Sequence, residues 1–186
     1  MKIRRARTAD AASLAALSIE VWVGTYLRHG VNSFFAEFVL SEFTTTRFEA
    51  LLEEGDDHLL VSENRDGIDG YIRLAEQRVA PIEGLSDLEI VTFYVQPRHH
   101  GNGIGSALLD VAIEYSRGKG RSGLWLTTNS ENTPAIDFYL AKGFRQVGVM
   151  DFRIGDQAYP NDVLALNFDS EPSGQTTRIN PVRPVF

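Results

Sequence analysis

The stretch Leu88 to Val95 (Leu-Glu-Ile-Val-Thr-Phe-Tyr-Val) is a nearly continuous run of apolar, β-branched and aromatic residues, and three alternating glycines, Gly101, Gly103 and Gly105, follow it closely. Such a run predicts a strand buried on both faces, the central strand of its sheet. Beyond the glycines, Ile104, Leu108, Val111, Ala112 and Tyr115 recur at helical spacing until Gly118 and Gly120 end the segment. A strand, a glycine turn and an amphipathic helix therefore anchor an α/β chain.

With 186 residues the chain has room for one domain and a sizeable core. Ile3 to Arg5 reads as a first strand, and Thr8 offers an N-cap for a helix running toward Leu27 with Leu14, Leu17 and Val21 on one face. Gly30 and Asn32 interrupt that pattern before a second helix. Thr45 to Glu54 reads as a third, with Phe48, Leu51 and Leu52 inward and Gly55 at its end. His58 to Glu63 and Gly70 to Val79 predict a hairpin around Arg65-Asp66-Gly67. Gly123 to Thr128 is a further short buried strand, and Thr133-Pro134 predicts a capped helix that ends before Gly143. Residues 144 to 154 and 158 to 168 form a second hairpin around Gly155-Asp156. Residues 1–168 are thus read as a single domain, and 169–186, with three prolines, as a C-terminal arm.

Glycines at 101, 103 and 105 let a backbone approach a ligand closely, and at a helix N-terminus the orphan N–H groups favour a phosphate. A flexible turn with positive φ at one or two glycines explains the same string equally well. A Walker loop is excluded because Ser106-Ala107 stands where Lys-Ser or Lys-Thr is needed. A dinucleotide fingerprint is excluded because the next strand ends Trp125-Leu126-Thr127-Thr128, without an acidic residue.

The string Arg98-His99-His100-Gly101-Asn102-Gly103-Ile104-Gly105-Ser106-Ala107 resembles the acyl-coenzyme A pyrophosphate loop of the GNAT superfamily of N-acetyltransferases, Gln/Arg-x-x-Gly-x-Gly/Ala. His100 departs from the usual Gln or Arg there. Asn132 to Phe144 resembles a second motif of the family, Asn-x-x-Ala-x-x-Phe-Tyr-x-x-x-Gly-Phe. The opening helical region is similar to that of bacterial polyamine acetyltransferase-like members. The resemblance implies a mixed, mostly antiparallel sheet of about seven strands flanked by helices and splayed between the strands at 88–95 and 123–128. It also implies a reaction, direct attack of a primary amine on the thioester of acetyl-CoA.

The same resemblance implies the roles of individual residues. Glu89 is the expected general base, with Asp87 a weaker substitute, and Tyr139 the general acid. Main-chain groups of Phe93, Tyr94 and Val95 are expected to bind pantetheine as an added strand. Gly101, Gly103, Ile104, Gly105 and Ser106 are expected to cradle the diphosphate with His100, Arg98 and Asn102, while Asn132 meets the pantetheine arm or caps its helix. On the acceptor side, Trp22 and Tyr26, with Phe34 and Phe35 nearby, are candidates for an aromatic wall, since such rings attract ammonium groups; helix aromatics are more often simple core. Glu20, Glu37 and Glu76 are candidate countercharges. His100 at the Gln/Arg position leaves a non-catalytic acyl-CoA-binding module as the alternative, and a protein N-terminus or lysine is the alternative acceptor.

Composition narrows the classes. Lys and Arg total 18 against 25 Asp and Glu, a net charge of −7 that disfavours nucleic acid and suits a cationic small molecule. No cysteine is present, which removes thiolate metal sites and a thiol nucleophile, and His99 with His100 forms no metal set. No segment has the apolar length of a signal peptide or membrane span, so a cytoplasmic protein without membrane contact is expected. A homodimer is expected from the family's habit of pairing through late strands.

Overall fold

The computed structural model describes residues 1–27, 29–168 and the backbone of 177–178. The arm expected at 169–186 lies outside the described residues except for that dipeptide. By chain contacts the protein divides into two compact units, Met1–Ala75 with Thr92–Ala112, and Glu76–Val91 with Ile113–Phe186. Its strands are hydrogen-bonded in the order Lys2–Arg5, Asp57–Glu63, Ile68–Ala75, Glu89–Val95, Gly123–Asn129, Gln157–Asn167, Arg145–Ile154, Thr177–Arg178.

The first unit begins with β1 (Lys2–Arg5), a 3-10 turn (Thr8–Asp10) and α1 (Ala11–Tyr26). Thr8 is not the cap that the sequence suggests. Asp10 turns back to accept the Arg7 N–H at 2.8 Å, and Arg4 holds the same carboxylate at 2.7 and 2.9 Å. Thr8 lies inside the 3-10 turn, and Asp10 takes the N-cap position of α1 without a side-chain cap bond. Then come α2 (Ser33–Glu42), capped by Asn32 Oδ1 on the Phe35 N–H, and α3 (Thr45–Glu54), capped by Thr44. The hairpin pairs β2 (Asp57–Glu63) with β3 (Ile68–Ala75), antiparallel, and β1 lies antiparallel to β2. Leu14, Leu17 and Val21 of α1, Phe48 of α3 and Leu59, Val61 and Tyr71 of the strands share one core. Tyr71 is wholly buried, and its hydroxyl meets Ser18 Oγ at 2.7 Å; Ser18 in turn donates to the Leu14 carbonyl.

β3 starts at Ile68 and ends at Ala75, earlier at both ends than the predicted Gly70 to Val79. Gln77 adopts a φ of +56°, which no strand continues through.

In the second unit, β5 (Gly123–Asn129) pairs antiparallel with β7 (Gln157–Asn167), and β7 with β6 (Arg145–Ile154); α5 (Thr133–Ala141) joins β5 to β6. Trp125, Val163 and Ala165 form its core with Ile82, Leu85 and Met150. A side chain at Gly123 would put its Cβ 2.2 Å from the Leu166 carbonyl, so this strand crossing requires glycine. Two residues of β8 (Thr177–Arg178) run parallel to β6.

β4 (Glu89–Val95) contributes to both units and departs from its sequence expectation. Only Ile90 is buried, and Val91 to Val95 are half-buried. Among the described residues its parallel register with β5 consists of Glu89↔Trp125 and Ile90↔Leu126. Past Ile90 the strand stays half-buried, with Tyr94 packed against the core of the first unit.

Candidate active site

The glycine loop belongs to the first unit. After β4 the chain makes a 3-10 turn (Pro97–His99), passes Gly101 and Gly103 at φ +80° and +79°, and enters α4 (Ile104–Gly118). Both glycines need the left-handed conformation, and a Cβ at either would meet nothing within 4 Å; the cause is backbone shape and not crowding. Gly105 is simply helical. The first helical bond after the turn runs from the Ala107 N–H to the Gly103 carbonyl at 3.0 Å. The amides of Ile104, Gly105 and Ser106 lie ahead of it, in the turn where a helix has no carbonyl of its own to offer them. With the open space beside Gly101 and Gly103, this cradle fits a diphosphate. Ile104 is buried beneath it. Gly70 of β3 lies so near that a Cβ would stand 3.0 Å from the Tyr94 carbonyl and 3.2 Å from Ile104 Cγ2 and Val95 Cγ2.

Not every loop side chain points as expected. His100 turns back so that Nε2 meets the Val95 carbonyl at 3.0 Å; the carbonyl can only accept, so Nε2 carries the proton. Arg98 Nη2 donates to Glu20 Oε1 of α1 at 2.9 Å, and Gln96 Nε2 donates to Glu20 Oε2 at 2.7 Å. These two donors hold the Glu20 carboxyl below the usual carboxylate range. Asn102 is exposed.

Also in the first unit, Trp22 is 6% exposed and packs on Tyr26, Phe38 and Phe35 with ring centroids 5.0, 5.3 and 5.8 Å apart. Tyr26, at 37%, carries that cluster to the surface, where Phe34 is likewise part-exposed. Trp22 itself therefore behaves as core, the bland alternative at this position.

In the second unit, Glu89 opens β4 with its side chain 13% exposed and accepts from Arg78 Nε at 2.9 Å. Asp87 precedes the strand and pairs with Arg121 Nη1 at 3.1 Å, which engages it elsewhere. Tyr139 of α5 is 7% exposed, its ring 5.4 Å from those of Phe138 and Phe144. Asn132, not Thr133, takes the N-cap position of α5, with proline in the first turn; the Asn132 carbonyl accepts from the Ala135 and Ile136 N–H groups, both at 3.1 Å, while its side chain makes no cap bond.

Two candidate countercharges are already engaged. Glu20 is bound as above, and Glu76 accepts from Tyr115, Lys119 and Arg121, which bring its carboxyl down to about 2. Glu37 is exposed on α2. Among the described residues no group of three His, Asp or Glu side chains is placed to hold a metal ion, and no helix is long and apolar enough to cross a membrane. The partners Arg78 and Gln96 escaped sequence reading, and Glu20, a candidate countercharge, gave no sign of its bonds to Gln96 and Arg98. Arg78 stands 11 residues from Glu89, and Glu20 stands 76 and 78 residues from Gln96 and Arg98, distances at which no periodicity links them.

Comparison with known proteins bears on both units. The sequence profile described as "Acetyltransferase (GNAT) family" matches residues 25–144. An uncharacterised N-acetyltransferase of Methanocaldococcus jannaschii is 33% identical over 103 residues, 55% of this chain and 46% of its own length. The streptothricin acetyltransferase of Streptomyces lavendulae is 30% identical over 98 residues, 52% and 49% of the two. The chain thus spans about half the length of these curated relatives. The PaiA N-acetyltransferase of Thermoplasma acidophilum, solved with coenzyme A, superposes with a TM-score of 0.71 at 18% identity, covering 90% of this chain and 98% of its own. The acetyltransferase YncA of Salmonella typhimurium, solved with acetyl-CoA, gives 0.69 at 22%, covering 95% and 99%. Both share the fold, a mostly antiparallel sheet flanked by helices.

Proposed function

The chain belongs to the GNAT acetyltransferase family, and from that premise we propose that it transfers the acetyl group of acetyl-CoA to a primary amine. The observation that carries the reading is the cradle: two glycines at positive φ leading into the first-turn amides of α4, which lie ahead of the bond from the Ala107 N–H to the Gly103 carbonyl. Backbone donors and the positive end of the helix dipole suit a diphosphate without any basic side chain. That matters here, because His100 is turned to the Val95 carbonyl and Arg98 to Glu20. The amides of Gly103 to Ser106 take the diphosphate, with Arg98 and Asn102 at its edge. Beyond Ile90, where the register with β5 ends, the main chain of Phe93, Tyr94 and Val95 lies alongside pantetheine. The Val95 carbonyl shares this task with the His100 ring.

Bound acetyl-CoA supplies the thioester. An alkylamine, whose pKa is about 10, is mostly protonated at neutral pH, so a base must remove its proton. Glu89, oriented by Arg78, takes it, directly or through one water. The amine nitrogen bonds to the carbonyl carbon, the carbon–sulfur bond breaks, the Tyr139 hydroxyl protonates the departing thiolate, and the second nitrogen proton restores the Tyr139 phenol, leaving a neutral amide. Asn132 stands by the pantetheine arm. Amide and free CoA are the products. These residue roles rest on motif position in the family together with the local settings described above.

The acceptor we propose is a small cationic amine of the polyamine kind. The net charge of −7 and the partly exposed Tyr26, packed on Trp22, support it. Purified protein given acetyl-CoA and a panel of polyamines, amino acids, streptothricin, aminoglycosides and peptides tests this through thiol release. Turnover with polyamines before peptides is the expected result; turnover with peptides alone would move the acceptor to protein. A homodimer is part of the same proposal, and sedimentation of the full chain tests it.

A further inference from the structure

The loop proposed to hold coenzyme begins at a tightly held junction. From β3, the Asp69 carbonyl accepts the Gln96 N–H at 2.9 Å. From within, His100 Nε2 reaches the Val95 carbonyl. The side chains on either side of Pro97 converge on a single carboxylate of α1, Gln96 on Glu20 Oε2 at 2.7 Å and Arg98 on Glu20 Oε1 at 2.9 Å. One oxygen serves each donor.

We infer that Glu20 is a positioning residue for the coenzyme loop, acting through Gln96 and Arg98 to fix the direction in which the chain leaves β4. The inference rests on reading that loop as a diphosphate cradle. Gly101 and Gly103 make the loop conformationally permissive, so amides that must converge on one anion have to be restrained from the loop's ends. Pro97 fixes one dihedral at the junction, and the clamp on both its neighbours fixes the side chains around it. Arg98 is 69% and Glu20 34% exposed, so the pair adds little to global stability and its contribution is to geometry. The same pairing sets a positive charge against Glu20, which otherwise repels an anion held at the loop. The carboxylate is thereby engaged as a clamp, which removes it from the countercharges available to an amine.

Calorimetry on the full chain decides the matter. Glu20→Ala is expected to weaken CoA binding about tenfold while inhibition by pantetheine, which lacks the diphosphate, and the melting temperature stay as in the parent protein. Glu20→Gln can keep both bonds once the Gln96 amide turns over, and is expected to restore most of the affinity. Unchanged CoA affinity in Glu20→Ala overturns the inference, as does equal loss for CoA and pantetheine, failure of Glu20→Gln to rescue, or a fall in melting temperature matching the loss of affinity. Absence of CoA binding by the parent protein overturns the functional reading first, and this inference with it.

Discussion

Arg78 Nε donates to Glu89 Oε2 across 2.9 Å, and the Arg78 N–H donates to the Asp87 carbonyl at the same distance, so the loop before β4 is closed by one residue that also orients a carboxylate. The bond to Oε2 leaves Oε1 outside it. In the proposed mechanism a base fixed in this way meets the amine in one geometry. Glu89→Gln keeps the shape and removes the proton acceptor, and kcat is expected to fall about 100-fold or more. The CoA dissociation constant is expected to stay within about twofold, since the interaction lost belongs to the transition state. Steady-state thiol release with calorimetry measures both, and an undiminished kcat would remove Glu89 from the mechanism.

Tyr139 is held by its ring against Phe138 and Phe144, so Tyr139→Phe preserves the packing. The variant is expected to fold with a melting temperature close to that of the parent, to bind CoA normally and to lose about tenfold or more in kcat. Loss of stability without loss of turnover would make the phenol a structural group.

Gly103 and Gly70 separate conformation from crowding. At Gly103 an alanine side chain meets open space but must sit at φ +79°, which costs about 1–2 kcal/mol. It also projects from the cradle, so CoA binding should weaken more than stability. At Gly70 the added Cβ stands 3.0 Å from the Tyr94 carbonyl and 3.2 Å from Ile104, an overpacking that costs about 1–3 kcal/mol. Urea unfolding and CoA titration of the two variants should rank them oppositely.

Glu76 supplies a pH-dependent prediction. Bonds from Tyr115, Lys119 and Arg121 lower its carboxyl from 4.5 to about 2 in the folded protein. A depressed folded-state value means that the network stabilises above 4.5 and that this contribution fades as pH falls from 4.5 toward 2. Glu76→Gln should therefore lose about 1–2 kcal/mol at neutral pH, a partly exposed cluster being screened, and almost nothing in strong acid. Denaturant titrations at several pH values read the difference.

The local patterns were legible in the chain. Helix α3 has the predicted bounds, and the glycine turn stands between its strand and helix because its signal is carried by neighbouring residues. The apolar run from Leu88 reads as buried throughout, yet composition cannot report where a neighbouring strand stops pairing, and only Ile90 of β4 is buried. Thr8 falls inside the 3-10 turn, and Asp10, its acid held through space by Arg4, takes the N-cap position of α1. The ion pairs of Glu20 and Glu89 were hidden for the same reason. Polar side chains choose partners by tertiary proximity, which no period in the sequence encodes.

The central claim is that coenzyme is gripped by main-chain donors at the start of α4. A crystal structure of the protein with CoA tests it most directly. The account predicts diphosphate oxygens within hydrogen-bonding distance of the amides of Gly103 to Ser106; a coenzyme bound elsewhere, with that turn untouched, would contradict it.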